Sequence, residues 1–487
     1  MRQLGGWALD SAVGGGASYA DVRVLGERHR SLSTKNGKVG HVGDEESLGV
    51  GIRVLLDGAW GFAATDRLDR AAIEQTAAHA LAIARASRHV CRTPVVLAPE
   101  AAHQAVWHGP CEVDPFTIPV DENISLLLEV DAALRGVAGV TLAEADLDFR
   151  RQHQVFLSSQ GSDIEQVRHL SGGGYAALCF AGNEIQKRSY PNSFGGQFQL
   201  AGYELIDRLQ LLENAGRVAE EAVALSRAAQ CPRQVGTIIL DSSQLGLQIH
   251  ESIGHPIELD RVLGMEANFA GTSFLTLDKL RHLRYGSELV NVVADARLQH
   301  GPGLGTLAFD DEGVPAQCTD IIRAGEFVGY IHSRETAAMV GDMRSNGCMR
   351  AESWNRIPLI RMTNISILPG PQSLSPEDLI ADTDDGIYME TNRSWSIDDK
   401  RFNFQFGCEL GWEIKHGKRT RMLKNPSYSG ITTEFWNSMD AICSRPHWTL
   451  WGTPNCGKGQ PQQTMGTGHG AAPARFRNVR IGTAYQS

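Results

Sequence analysis

The 487-residue sequence predicts an α+β fold: two similarly built units of strand meander plus helix, then a larger, mostly β C-terminal region. Three observations lead there. Residues 20–65 alternate apolar and polar side chains around the dipeptides Asn36-Gly37 and Asp57-Gly58, which suit tight hairpins because both turn residues tolerate positive φ. The same order of elements recurs after residue 123, and Gly161 precedes Gly173 by the interval that separates Gly37 from Gly49. A β-branched run, Val235 to Leu240, then opens a third region as a buried strand.

Each element follows from local pattern. A short helix comes first, then the meander, then an Ala-rich helical stretch from Leu68 to Ala86. RTPVVLAPE opens a linker, so the first unit spans residues 1–91 and the linker 92–122. The second unit, 123–230, contains a helix near 123–137, strands through 139–182 and one long helix near 203–229. In it LSSQG, Leu157 to Gly161, answers LSTKNG, Leu32 to Gly37. Leu205, Leu209, Leu212, Ala219 and Val223 fall near one face of the long helix and are expected to pack inward. Cys231-Pro232 ends it, and region 231–487 follows.

Composition narrows the function. An apolar fraction of 42% and a charged fraction of 21% are ordinary for a soluble globular chain. The net charge of −10 carries no basic stripe, which argues against a nucleic-acid partner. No run approaches the ~18 apolar residues of a membrane span, and the N-terminus lacks a signal-peptide core, so a cytoplasmic protein without a membrane partner is expected. Nine cysteines form no CxxC pair, and free thiols are the default.

QIHESIGHPIELD, residues 248–260, holds the strongest chemical signal. Asp241, Ser242 and Ser243 can cap a helix that carries it. Zinc proteases use H-E-x-x-H, with ligands four apart on one helical face; here His250 and His255 are five apart. At about 100° per residue, that spacing separates them by about 140° on a regular α-helix. Gly254 and Pro256 suggest that the helix stops and His255 swings back from an extended position; a local π-type widening is the alternative. Two imidazoles leave a third ligand to find, and Glu251 is placed as general base. By chemistry the third could be Cys456, His447, His469 or the run Asp310-Asp311-Glu312.

YADVRV, NGKV, GVGIRV and GFAATD in the first unit, then HESIGH, FDDEGVPAQ, SRETA, RMTNISILPG and CGKGQ, together resemble the TldD/PmbA metalloprotease family, in its metal-carrying TldD-like branch. The resemblance covers nearly the whole chain. It implies three successive α+β regions, one Zn²⁺ per active site on His250, His255 and Cys456, and Glu251 as the catalytic carboxylate. His447 and His469 then become loop histidines, and the acidic run becomes turn or dimer structure. Arg334, Asn346 and Arg361 could contact substrate, with structural ion pairing the expected role. The resemblance also implies an unstructured peptide substrate, paired to a strand edge inside a homodimer or a heterodimer with a related subunit. Residues 387–417 keep a strand-turn-strand character but carry extra aromatics, a departure in wording that leaves substrate preference open and the metal ligands in place. Two rival readings are a metal-free scaffold subunit and a thiol hydrolase using Cys456 with His469. GPGLG, Gly301 to Gly305, lacks the strand-helix setting of a phosphate loop.

Overall fold

The structure, a computed structural model, describes residues 1–482. Helix α1 (Arg2–Gly14) leads into β1 (Tyr19–Lys35), β2 (Lys38–Leu56) and β3 (Ala59–Thr65), followed by α2 (Arg70–Arg88). Both meander turns have left-handed pairs, Asn36 with Gly37 and Asp57 with Gly58, as two-residue hairpins require. The intervening segment contributes β4 (Gln104–His108). The second unit repeats the order with α3 (Val120–Gly136), β5 (Leu142–Ser158), β6 (Asp163–Ala181), β7 (Glu184–Tyr190) and β8 (Gln197–Leu200).

The two units share one eight-stranded sheet, because β1 and β5 pair antiparallel from Asp21↔Ser158 to Lys35↔Glu144. Helices α1 and α2 pack mainly alanines against the strand valines of one half of it. The other half is covered by α3, α4 (Glu204–Leu209) and α5 (Leu211–Arg227). The expected single long helix is therefore two. Gln210 between them has φ 48°, and the Tyr190 hydroxyl donates to the Leu209 carbonyl at 2.9 Å. The break shifts the helical phase, so Leu211, not Leu212, faces the core, and Leu212 is exposed.

The C-terminal region opens with two short strands, β9 (Ala229–Gln230) and β10 (Gln234–Leu240). Only Ile238 to Leu240 of β10 are buried; Val235 is exposed. Helix α6 (Ser242–Ile249) and a π turn (His250–Gly254) follow, then the one-turn helix α7 (Leu259–Val262). A four-stranded sheet comprises β11 (Val292–Asp295), β12 (Cys318–Arg323), β13 (Glu326–Phe327) and, beyond the ribbon of β14 (Met349–Arg350) and β15 (Leu359–Ile360), β16 (Ile365–Ile367). After α8 (Pro376–Ala381) come β17 (Asp385–Ile397), β18 (Asn403–Lys415), β19 (Lys418–Lys424), β20 (Ser427–Ile431), α9 (Thr432–Asn437) and β21 (Met439–Ile442). The chain ends with β22 (Thr449–Lys458), β23 (Gln463–Ala471) and β24 (Ala474–Ile481).

Strands β17, β10, β24, β20 and β18 pair in that order, and β17 also pairs with β18, which closes a barrel. Its core is aromatic: Phe435 stacks on Phe476 with ring centroids 4.1 Å apart, and Tyr428 stacks on Phe435 at 5.7 Å. Two consequences position the site. Helix α6 leaves the end of β10 into a fully buried path, and the β22–β23 ribbon runs beside it.

Candidate metal centre

The π turn answers the spacing question. The His255 N–H donates to the His250 carbonyl at 3.1 Å, a five-residue bond that returns the two histidines to one face. His255 is right-handed helical, with φ −66° and ψ −43°, so the expected extended position is not what occurs. The α region is disfavoured before a proline, and tertiary contacts offset that cost. Ser252, inside the turn, is held by four groups. Its hydroxyl donates to the Gln248 carbonyl at 2.6 Å and accepts from Trp436 Nε1 at 3.0 Å and Gln248 Nε2 at 3.1 Å, while its carbonyl accepts from the Tyr285 hydroxyl. Gly254 is required for closeness: an added Cβ would lie 2.1 Å from Met362 Sδ. At the other end, Asp241 caps α6 by accepting from the Ser243 N–H at 2.8 Å.

Ligand atoms of His250, His255 and Cys456 lie within 4.8 Å of one another, and all three residues are buried. Cys456, on β22 just past a bulge, has its Sγ 3.8 Å from His255 Nε2. The outer ring nitrogens are occupied. His255 Nδ1 lies 3.0 Å from Glu258 Oε2, which can only accept, so Nδ1 carries the proton and Nε2 its lone pair. His250 Nδ1 lies 2.7 Å from His469 Nε2, and His469 Nδ1 lies 3.2 Å from the Ile365 carbonyl. That carbonyl requires a proton on His469 Nδ1, so in the neutral ring Nε2 accepts and His250 Nδ1–H donates. His250 Nε2 is again left with a lone pair.

The charge state suits the same end. Burial holds His250, His255 and His469 below the ordinary imidazole value, and therefore neutral. Burial pushes the Cys456 thiol up, but the Arg361 guanidinium and His255 more than offset it, and the thiol ends below its usual value. Arg361 Nη2 also donates to the Cys456 carbonyl at 2.5 Å. Behind His255, burial opposes ionisation of Glu258, yet Lys458 and His255 hold its carboxyl far below the usual range. Lys458 Nζ reaches Glu258 at 3.2 Å and Asp260 at 2.8 Å, and Arg261 reaches Glu266 at 3.1 Å. Two neutral imidazoles and a thiolate-prone sulfur fit a borderline-soft divalent ion. Glu251, next in chain to His250, is buried and ion-paired to Arg401 Nη1 at 2.6 Å.

The remaining candidates are outside the triangle of donors. His447 is half-buried on a short 3-10 turn, 445–447. His469 is no loop histidine: it sits fully buried on β23 and orients His250. No sequence signal beyond its residue type marked that role. The acidic run forms a turn: Asp310 accepts from the N–H groups of Glu312 and Val314 at 2.9 Å and Met349 at 3.0 Å. Arg334 donates to the Ala98 carbonyl and Gln160, and Asn346 bonds the backbone of His332 and Tyr330. Arg361, in contrast, borders the sulfur. Gly303 packs against Asn364 and Gly305 against Thr363.

Comparison with known proteins finds matches along most of the chain. The PmbA/TldA metallopeptidase C-terminal domain matches residues 233–483, domain 1 matches 20–84 and the central domain matches 113–230. A metalloprotease of Methanocaldococcus jannaschii is 29% identical over 428 residues, 87% of this chain and 89% of that protein. A zinc metalloprotease TldD homolog of Saccharolobus solfataricus is 25% identical over 431 residues, 88% of this chain and 89% of its own. Among solved structures, TldE from Thermococcus kodakarensis superposes with a TM-score of 0.69 at 16% identity, covering 99% of this chain and 100% of that one. That likeness concerns the fold.

Proposed function

This chain belongs to the PmbA/TldD metallopeptidase family, and on that premise we propose that it is a zinc peptidase hydrolysing unfolded or leader peptides, with Zn²⁺ on His250, His255 and Cys456 and Glu251 as general base. That it is a metalloprotease follows from the family and its named relatives. The finer reading is carried by one observation, the convergence of a widened helical turn and a strand 201 residues further on into a triangle of donors within 4.8 Å.

A zinc ion held there would polarise the scissile carbonyl and make a water easier to deprotonate. The residues do the rest. Glu251 takes the water's proton, on Oε1 because Oε2 is paired with Arg401, and passes it to the departing amine nitrogen. Glu258 and His469 keep both imidazole lone pairs turned inward. An extended peptide would be recognised through its backbone by strand addition, which reads sequence weakly. The working unit in this reading is a cytoplasmic homodimer or a heterodimer with a related subunit of the same fold, a fold that TldE from Thermococcus kodakarensis shares.

Purified protein is expected to contain one zinc per chain. Chelation abolishes cleavage of an unstructured peptide, zinc restores it, and Glu251→Gln keeps the metal while losing turnover. Cleavage that survives chelation but stops on thiol alkylation would favour a thiol hydrolase instead. In that case the partner of Cys456 is His255 rather than the expected His469, which is engaged by His250.

A further inference from the structure

We propose that Arg401 is a catalytic residue: its guanidinium rests on Glu251 in the free protein and binds the oxyanion that develops on the scissile carbonyl oxygen. The inference rests on the peptidase reading above and assigns the site a second positive group that no motif marks.

Arg401 stands in the turn between β17 and β18, with φ 63°. A non-glycine residue in that conformation costs about 1 kcal/mol or more and persists where the surroundings impose it. They do so on both sides. Asp398 accepts from the N–H of Arg401 at 2.9 Å through its carbonyl and from the N–H of Phe402 at 2.7 Å through its carboxylate. The Arg401 carbonyl accepts from Thr432 at 2.9 Å, and the carbonyls of Asp399 and Lys400 accept from Thr272 and Phe274 at 3.0 and 2.9 Å. The turn is thus clamped to the chain that follows the histidine motif, and its arginine is delivered to the π turn.

At its end the guanidinium makes one strong contact, Nη1 to Glu251 Oε2 at 2.6 Å, while Nε is buried without a hydrogen-bond partner. Arg261 and Arg361 also carry guanidinium nitrogens without a hydrogen-bond partner, and what sets Arg401 apart is its bond to the base. An open donor beside the base is what an oxyanion site requires.

Charge flow during the reaction explains the pairing. In the ground state the cation is compensated by the Glu251 carboxylate. As the water O–H bond breaks, its proton neutralises that carboxylate, its oxygen bonds the carbonyl carbon, and the C=O π pair moves onto the carbonyl oxygen. The guanidinium loses its counter-charge while a new anion forms next to it. When Glu251 returns the proton to the amine nitrogen and the C–N bond breaks, the oxyanion pair re-forms C=O and the resting ion pair is restored. Binding that strengthens only in the transition state raises kcat rather than lowering KM.

The test uses zinc-loaded full-length protein and Arg401→Gln, with Arg401→Lys as the variant that keeps the charge but loses the fork. Expected for Arg401→Gln are unchanged zinc stoichiometry and melting temperature, KM within a few-fold of the parent, and kcat lower by about 10²–10³. Calorimetric affinity for a phosphinic peptide, whose tetrahedral anion copies the developing charge, falls in step, and Arg401→Lys is intermediate in both. Retained kcat or undiminished phosphinate binding in Arg401→Gln, with an active parent, overturns the Arg401 role alone. A zinc-loaded parent that cleaves no unstructured peptide overturns the peptidase reading, and this inference with it.

Discussion

Two buried clusters of acids in this protein are built from the same residue types and hold their charges differently. In the turn at 310–312, Asp310 accepts three backbone N–H groups, Asp311 accepts from Gln154 and the Ala351 N–H, and Glu312 pairs with Arg53 and accepts the Arg334 N–H. These bonds seat the C-terminal region on the first sheet, where Gly51 also leaves room for the Trp354 carbonyl, 2.3 Å from where a Cβ would be. Behind the metal centre, Glu258 faces an imidazole N–H on one side and Lys458 and Arg261 on the other. The lesson lies in the partner: a carboxylate spent on backbone N–H groups shapes a loop, while one spent on a ring N–H sets which nitrogen of a histidine is free to bind.

The contrast can be broken at several depths. Cys456→Ala removes a donor outright, and zinc affinity measured by chelator competition should fall by more than about 100-fold, beyond the 10–100-fold typical of outer partners. Glu258→Gln keeps an acceptor for His255 but removes the charge facing Lys458; zinc affinity should drop by about 10-fold, and an unchanged value would place Glu258 with the structural acids. Asp310→Asn should do the opposite. Zinc binding is unaltered, and urea unfolding shows a loss of about 1–3 kcal/mol from the buried Met349 N–H left short of an acceptor, since the asparagine oxygen still serves Glu312 and Val314. A weakened metal site in Asp310→Asn would erase the distinction.

How much was readable in advance varies with the range of the interaction. The hairpin turns at Asn36-Gly37 and Asp57-Gly58 were legible because φ demands fall on the residues that meet them. The α+β class followed from periodicity, which adjacent residues also carry. The helix break at Gln210 was not legible: no proline or glycine marks it, and the Tyr190 hydroxyl that caps the Leu209 carbonyl comes from another strand. Nor could periodicity choose between a stopped helix and a π turn after His250. Trp436 and Tyr285 secure Ser252 there, and Met362 lies where Gly254 has no Cβ.

By itself, then, the sequence determined the fold class, the hairpin turns and the kinds of donor available: two imidazoles, a thiol and a carboxylate. Only the tertiary structure decided that the turn widens, that His469 and Glu258 set the tautomers, that Arg361 borders the sulfur and that Arg401 lies on Glu251. The reason is physical. Turn geometry and periodicity are settled within a few residues of chain, whereas His469 with His250, Arg401 with Glu251 and Arg361 with Cys456 are 219, 150 and 95 residues apart and meet only when sheets and helices pack; Glu258, three residues from His255, is the local exception.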